Sequence, residues 1–163
     1  MTASKVLPRA RIVEEAGRRR AAGQTVVFAN GAFDLLHVGH VRYLEAARRE
    51  GDWLAVGVNS DASVGRAKGP SRPVLPETDR AEIVAALACV DAVVIFPEDS
   101  PAGLIAALRP DVHAKGTDYT ADSVPEREVV AAYGGRTAIV GDPKDHATTE
   151  LIERIRGRRD REP

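Results

Sequence analysis

Cysteine is almost missing from this 163-residue chain: Cys89 stands alone, so no internal disulfide can form, and the thiol fits a reducing compartment. Long apolar runs are missing as well. The longest, residues 83–90, stops at Asp91, far short of the roughly 20 residues a membrane-spanning helix needs. Lys5, Pro8 and Arg9 interrupt the start of the chain where an export signal would be apolar, so the expected location is the cytoplasm, without membrane insertion. An excess of either charge is lacking too. With 23 basic and 24 acidic side chains the net charge is −1, which removes the broad electrostatic case for nucleic acid as a partner. Two phosphate-binding signatures are also absent, since the chain contains no Gly-x-Gly and no Gly-Lys. A nucleotide site here needs another device.

What is present reads as a globular domain. At 44% hydrophobic and 29% charged, the chain is expected to form one domain over 1–163, with a core at about 25–155 and a frayed tail at 158–163. Only four of the basic residues are lysine (Lys5, Lys68, Lys115 and Lys144), which draws attention to the Ala-Lys-Gly tripeptides at Lys68 and Lys115.

Periodicity predicts alternating helices and strands. An amphipathic helix over 8–22 carries Ile12, Val13 and Ala16 on one face and stops at Gly23. Buried strands are expected at 25–29, 53–59, 92–96, 112–114 and 136–140. Further helices are expected at 38–50, 76–88, 124–133 and 148–157, and another opens at Ser100-Pro101 and runs to Leu108. The Gly-, Ser- and Pro-rich stretch 59–74 reads as a long loop, a length that is often functional. Strands separated by helices predict an α/β protein with a parallel sheet of about five strands, helices on both faces and right-handed crossovers. Ligands bind such sheets beyond the carboxyl ends of the strands, where strand order switches. That singles out the loops after Ala29, Asn59, Ala114 and Val140.

The chemistry concentrates after the first strand, in Asn30-Gly31-Ala32-Phe33-Asp34-Leu35-Leu36-His37-Val38-Gly39-His40. Gly31 permits a tight turn or an amide turned toward a ligand. His37 and His40 are three apart at a helix start and can face the same space, and Gly39 between them lets a ligand approach the backbone. Unpaired amides and the helix dipole complete an anion site, where two imidazoles can stabilise the charge of a pentacoordinate phosphorus. Zinc is the competing reading of a His pair, but it needs a third and usually a fourth ligand. Cys89 lies in an apolar helix pattern and no acidic cluster is near in sequence.

Phe33-Asp34-Leu35-Leu36-His37-Val38-Gly39-His40 resembles the His-x-Gly-His signature of the cytidylyltransferase-like nucleotidyltransferase superfamily. The matches continue through Asn59-Ser60-Asp61, Lys68-Gly69-Pro70-Ser71-Arg72-Pro73 and Glu77-x-x-Arg80. They end with Lys115-Gly116-Thr117-Asp118-Tyr119 and Ala147-Thr148-Thr149. Within that superfamily, the combination is most similar to the adenylyltransferases of ADP-heptose synthesis in lipopolysaccharide core assembly, in their stand-alone form without a sugar kinase. Ala32 departs from the family's frequent cysteine, and His113 stands where an aliphatic residue is usual; we read His113 as structural.

The resemblance implies a Rossmann-like nucleotidyltransferase fold and a homodimer. It also implies transfer of AMP from ATP, with Mg²⁺, to D-glycero-D-manno-heptose 1-phosphate, releasing pyrophosphate. His37, His40 and Lys68 would be catalytic, with His40 on the transferring group and Lys68 closing from a mobile loop. Gly31, Ala32, Phe33, Gly39, Gly116, Thr148 and Thr149 would bind nucleotide or phosphate. The threonines can equally cap the last helix, and Lys68 can equally be a solvated loop lysine. Arg80, unfavourable in the first turn of a helix, would lie near the nucleotide or pair with Glu77 or Asp79. Asp34 would cap the turn, contact substrate, or hold a magnesium-bound water. Asp61 and Asp118 would meet ribose or sugar hydroxyls, Lys115 the sugar phosphate, and Arg72 the substrate. No protein ligand for the metal is assigned. Asp142, Lys144, Asp145 and His146 read as a solvated loop, and Arg18–Arg20 and Arg158–Arg159 as solvated charge. Two alternatives remain at this point: a cytidylyltransferase acting on glycerol 3-phosphate or another phospho-alcohol, and a nucleotide-binding module without turnover. The first is disfavoured by the absence of Arg-Thr-x-Gly-Ile-Ser before the last helix.

Overall fold

The computed structural model describes residues 2–143 and 148–159. The expectations for Lys144, Asp145 and His146, for Ala147, for the Arg158 and Arg159 side chains and for the tail beyond Arg159 lie outside what is described.

Five parallel strands form one sheet: β1 (Val26–Gly31), β2 (Trp53–Asn59), β3 (Ala92–Phe96), β4 (Val112–Lys115) and β5 (Arg136–Ile139). Their order is β3-β2-β1-β4-β5, so the chain builds outward from β1 in one direction and then returns to its other side. The switch falls between β1 and β4, which pair with Val27 opposite Val112 and Ala29 opposite Ala114.

Alternation along β1 sorts the core into two layers. Val27 and Ala29 pack with Leu44 and Ala47 of α2 (Val38–Arg48) and with Ala81, Val84 and Ala85 of α4 (Glu77–Ala85). Val26 and Phe28 face the opposite side, against Ile12 and Ala16 of α1 (Arg9–Ala21) and Leu104, Ile105 and Leu108 of α5 (Ala102–Leu108). Short α6 (Arg127–Ala131) adds Val130 to that second layer. Burial on both faces is why these strands read as continuous apolar runs rather than alternating ones. Gly57 of β2 is required by this packing: a Cβ there would lie 2.7 Å from the Phe28 ring and 3.1 Å from Phe96.

The structure corrects one element. Residues 59–74 are not a single loop, because α3 (Asp61–Lys68) occupies half of the stretch. Ser60 caps it, its hydroxyl accepting from the Ser63 amide at 3.2 Å, and Asp61 sits favourably in the first turn. Lys68 therefore stands in the last turn of a capped helix rather than in a mobile loop, and Gly69 ends the helix with a φ of +96°. A smaller shift occurs at α5, where Pro101 rather than Ser100 is the N-cap, though the Ser100 hydroxyl still accepts from the Ala102 amide. The last helix, α7 (Thr148–Arg159), runs past Gly157.

His113 on β4 is structural, as the sequence reading holds. It is fully buried, stacked on Phe28, with Nε2 3.0 Å from the Asn30 Oδ1. Burial first, and then the Lys115 charge, pull its pKa down from 6.5 to about 3. The unfolded chain therefore takes up a proton that the fold refuses, so this contribution to stability is intact above pH 6.5 and lost progressively as acid is added toward pH 3. The thermal midpoint is expected to fall between pH 7 and pH 5. In His113→Leu the slope should be shallower by up to about 1.4 kcal/mol per pH unit, measured by thermal melts across that range.

Candidate active site

The site grows from the end of β1. After Gly31 the chain turns through Phe33, whose φ of +48° is a left-handed conformation uncommon for a bulky residue. The turn lays the Phe33 ring against Gly31, where a Cβ would come within 3.2 Å of it. The same ring meets His40 edge-on, with centroids 5.3 Å apart. His37 is the N-cap residue of α2, and its amide donates to His40 Nδ1 at 3.4 Å. The two imidazoles stack with centroids 3.9 Å apart and planes 23° from parallel. Because Nδ1 accepts, the proton of neutral His40 resides on Nε2, which is left as a donor. Burial, with the neighbouring His37 and Lys68 charges, lowers the His40 pKa from 6.5 to about 4. Two rings held in contact at a helix N-terminus, with like charge suppressed, form a site prepared for an anion.

The opposite walls come from β4, β5 and α7. They meet the histidines in a cleft of about 460 Å³ over the carboxyl ends of β1, β4 and β5. Tyr43, one turn beyond His40, donates its hydroxyl to the Ala114 carbonyl at 2.8 Å, joining α2 to β4. Its buried phenol is raised above the ordinary tyrosine range. Gly141, with φ +96°, lets the loop after β5 pass so close to α2 that a Cβ would lie 3.3 Å from the Tyr43 Cα. Asp142 ties that loop down twice, through Arg42 at 3.0 Å and through its carbonyl, which accepts from the Thr117 hydroxyl at 2.7 Å.

The cleft gathers His37, His40, Lys68, Gly31, Phe33, Gly39, Lys115, Gly116, Asp118, Thr148 and Thr149 on its lining. Five residues expected at the site serve it from outside instead. Asp34 is 1% exposed and spends its carboxylate within the protein, accepting from Arg72 Nε at 2.6 Å and from the Val74 and Leu75 amides at 2.7 and 3.0 Å. Burial opposes its charge, but the bonds from Leu75, Arg72 and Val74 outweigh it and hold the carboxyl below the usual range. Arg72 is thereby committed to Asp34 rather than to substrate.

Arg80 is completely buried. It donates to the Ala32 and Leu75 carbonyls and to Asp61 Oδ1, the last at 2.7 Å. Its ion-pair partner is thus Asp61, while Glu77 accepts from the Asp61 amide at 2.6 Å. Ala32 enters through the carbonyl that Arg80 holds. These residues are braces that lock the turn after β1 to α3 and to the segment before α4.

The sequence reading assigned no individual role to Asn30, Arg42, Tyr43 or Tyr119, all on the lining. The spacing of three from His40 to Tyr43 was the available signal for that side chain. Asn30 follows the last buried residue of β1 directly. Arg42 carried no signal of its own, and Tyr119 closed the Lys115–Tyr119 match without a role attached. Among the described residues, no three His, Cys, Asp or Glu side chains converge into a metal-binding group. Nor is any helix there long and apolar enough to cross a membrane.

A cleft at the strand-order switch of a parallel sheet, fronted by helix N-termini and paired imidazoles, is an arrangement suited to binding phosphate groups in an α/β protein. Comparison with known proteins narrows the class. The family model described as cytidylyltransferase-like matches residues 28–157, and the chain belongs to that family. Among curated proteins it is similar to the "Bifunctional protein HldE" of Syntrophotalea carbinolica, 56% identical over 145 residues. Its counterpart in Geobacter sulfurreducens is 55% identical over 136 residues. The chain is covered to 89% and 83% in these matches but spans only 29% and 28% of those relatives. Among solved structures it is similar to the lipopolysaccharide core biosynthesis protein of Thermoplasma volcanium, with a TM-score of 0.65 and 27% identity, covering 75% of this chain and all of the other.

Proposed function

We propose that the chain is an adenylyltransferase that moves AMP from ATP to a sugar 1-phosphate, D-glycero-D-manno-heptose 1-phosphate, giving ADP-heptose and pyrophosphate for the lipopolysaccharide core. The observation that carries the reading is the stacked His37–His40 pair at the mouth of α2, in one cleft with Lys68, Thr148 and Thr149. The similarity to HldE proteins and to a lipopolysaccharide core biosynthesis protein supports the choice of acceptor.

A phosphate oxygen of the acceptor attacks the α-phosphorus in line. The new O–P bond forms as the bond to the β-phosphate bridging oxygen breaks, and that oxygen leaves with the electron pair as pyrophosphate. The nucleophile is already an anion, so no general base is needed and catalysis consists of positioning and charge stabilisation. His40 Nε2–H and His37 donate to the non-bridging oxygens of the transferring group, where negative charge grows. Lys68 and the Thr148–Thr149 end of α7 hold the leaving phosphates. Mg²⁺ accompanying ATP would be held through the nucleotide phosphates and its own waters and would offset their charge; imidazole nitrogens would be poor ligands for so hard a cation.

Burial, with the His37 amide already on Nδ1, keeps the His40 ring neutral down to about pH 4, so ATP binding is expected to draw little or no proton onto it between pH 8 and pH 6. Titration calorimetry in buffers of different ionisation enthalpy reads the proton balance, and His40→Gln should leave it unchanged. The reading as a whole is tested by pyrophosphate release with ATP, CTP and GTP, each paired with heptose 1-phosphate and glycerol 3-phosphate. ATP with the heptose phosphate should be the productive pair. Turnover only with CTP and glycerol 3-phosphate would make the chain a cytidylyltransferase, and nucleotide binding without turnover would make it a binding module.

A further inference from the structure

The floor of the cleft on the β4 side holds an arrangement that no motif announces. Lys115, the last residue of β4, is 8% exposed yet lines the cleft. A lysine so enclosed needs a reason to keep its charge and a fixed direction for its ammonium. Glu126, eleven residues on and just ahead of α6, supplies both. It is 5% exposed, with Oε2 3.8 Å from the Lys115 Nζ and Oε1 accepting from the Ser100 hydroxyl at 3.4 Å. Oε2 has no hydrogen-bond partner among the described residues, so its negative charge is balanced through the lysine rather than through local donors. On the side of the cleft, the Lys115 ammonium lies over the Tyr119 ring, 4.7 Å from its centroid.

We propose that Glu126 is a positioning residue for the proposed transfer, holding the Lys115 ammonium in the cleft to bind a phosphate group of one of the two reactants. The inference rests on the transfer reading above. A carboxylate on one side and an aromatic face on the other leave the remaining N–H donors of Lys115 for a phosphate in the cleft. Among the described residues, titratable groups set against Lys115 include Glu126 from the segment before α6, Tyr119 from the loop after β4, and His113 from β4 itself, with Asp118 on the same cleft lining. Tyr43 of α2 anchors the adjacent Ala114 carbonyl. Burial lowers the lysine pKa, Glu126 offsets part of that fall, and neutral His113 adds no charge. Loss of the carboxylate therefore leaves an amine that deprotonates more readily and is less well aimed.

The chain's four lysines make a direct test practical. Lysine carrying ¹³C at Cε gives one resonance per residue, assigned by Lys115→Met and followed against pH. In Glu126→Gln, the Lys115 midpoint should fall by about one unit or more, a tenfold change in proton affinity. The alkaline limb of kcat/KM should move down with it, KM for one reactant should rise about tenfold and kcat should change less. Glu126→Asp should recover part of both effects. A rise in KM for the sugar phosphate assigns Lys115 to the acceptor, and a rise in KM for ATP assigns it to the nucleotide.

Inorganic pyrophosphate and heptose 1-phosphate, added separately to the unsubstituted protein, should raise the Lys115 midpoint in at least one case. This keeps the test independent of how well the variant folds. An unmoved midpoint in Glu126→Gln, or no response of Lys115 to either phosphate, overturns the inference even where the unsubstituted protein transfers AMP. Failure of the transfer reading shows separately, as absence of product from the unsubstituted protein.

Discussion

His40→Ala is expected to lower kcat for nucleotidyl transfer by about 10²–10³-fold, the usual cost of removing one preorganised donor from a developing oxyanion. KM for ATP should change much less, because the triphosphate keeps Lys68, Thr148–Thr149 and the amides of α2, and the lost interaction strengthens only as charge builds on the α-phosphoryl oxygens. The fold should persist: His40 is only half-buried, and its removal costs the edge contact with Phe33 and the stack on His37. Steady-state kinetics beside a thermal melt separates these effects. His37→Ala should also impair turnover, and the double variant should lose less than the product of the two single losses. Rings 3.9 Å apart act as one unit, so their effects are not additive. Equal losses in kcat and in ATP affinity would instead mean that the pair binds the ground state only.

Asp34→Ala should have the largest effect on stability, about 3–5 kcal/mol in urea unfolding, because it strands a mostly buried guanidinium. Arg72 keeps only 12% side-chain exposure, and the Val74 and Leu75 amides lose their acceptor in the same step. Asp34→Asn retains an acceptor oxygen and should cost less. Both variants should lose activity in proportion to how far the turn after β1 loosens, since that turn carries Phe33 toward His40. An Asp34 that served substrate or a magnesium-bound water alone would behave differently: activity would collapse with the unfolding free energy unchanged. Arg80→Met should follow the Asp34 pattern in a milder form, because its partner Asp61 is 44% exposed and can rehydrate.

These braces mark the boundary of what the sequence can disclose. The strands at 53–59 and 92–96 were legible to the residue, because buried parallel strands are short apolar runs with polar ends. The switch-point cleft was legible too, since strand–helix alternation fixes where ligands go and the His-x-Gly-His turn falls there. Helix α3 was hidden because Gly65, Gly69 and Pro70 read as loop composition, while the Ser60 cap that nucleates it is a local geometry. Asp34, Asp61, Arg72 and Arg80 look like site residues in one dimension. Apart from the Leu75 carbonyl held by Arg80, their partners lie 16 to 48 positions away in the chain, and only the fold reveals that their charges are spent on one another and on backbone carbonyls and amides. Glu126 was silent for the reverse reason: its partner Lys115 stands in a motif, but nothing in the spacing between them says that β4 and the start of α6 converge.

The most direct test follows the label. The protein is incubated with Mg²⁺, heptose 1-phosphate and ATP carrying ³²P at either the α or the γ position, and the products are separated. Nucleotidyl transfer at the His37–His40 pair predicts α-label in a sugar nucleotide and γ-label in pyrophosphate, both lost in folded His40→Ala. Label from the γ position appearing in the sugar product, or transfer of α-label undiminished in His40→Ala, would contradict that assignment of the reaction or of the site.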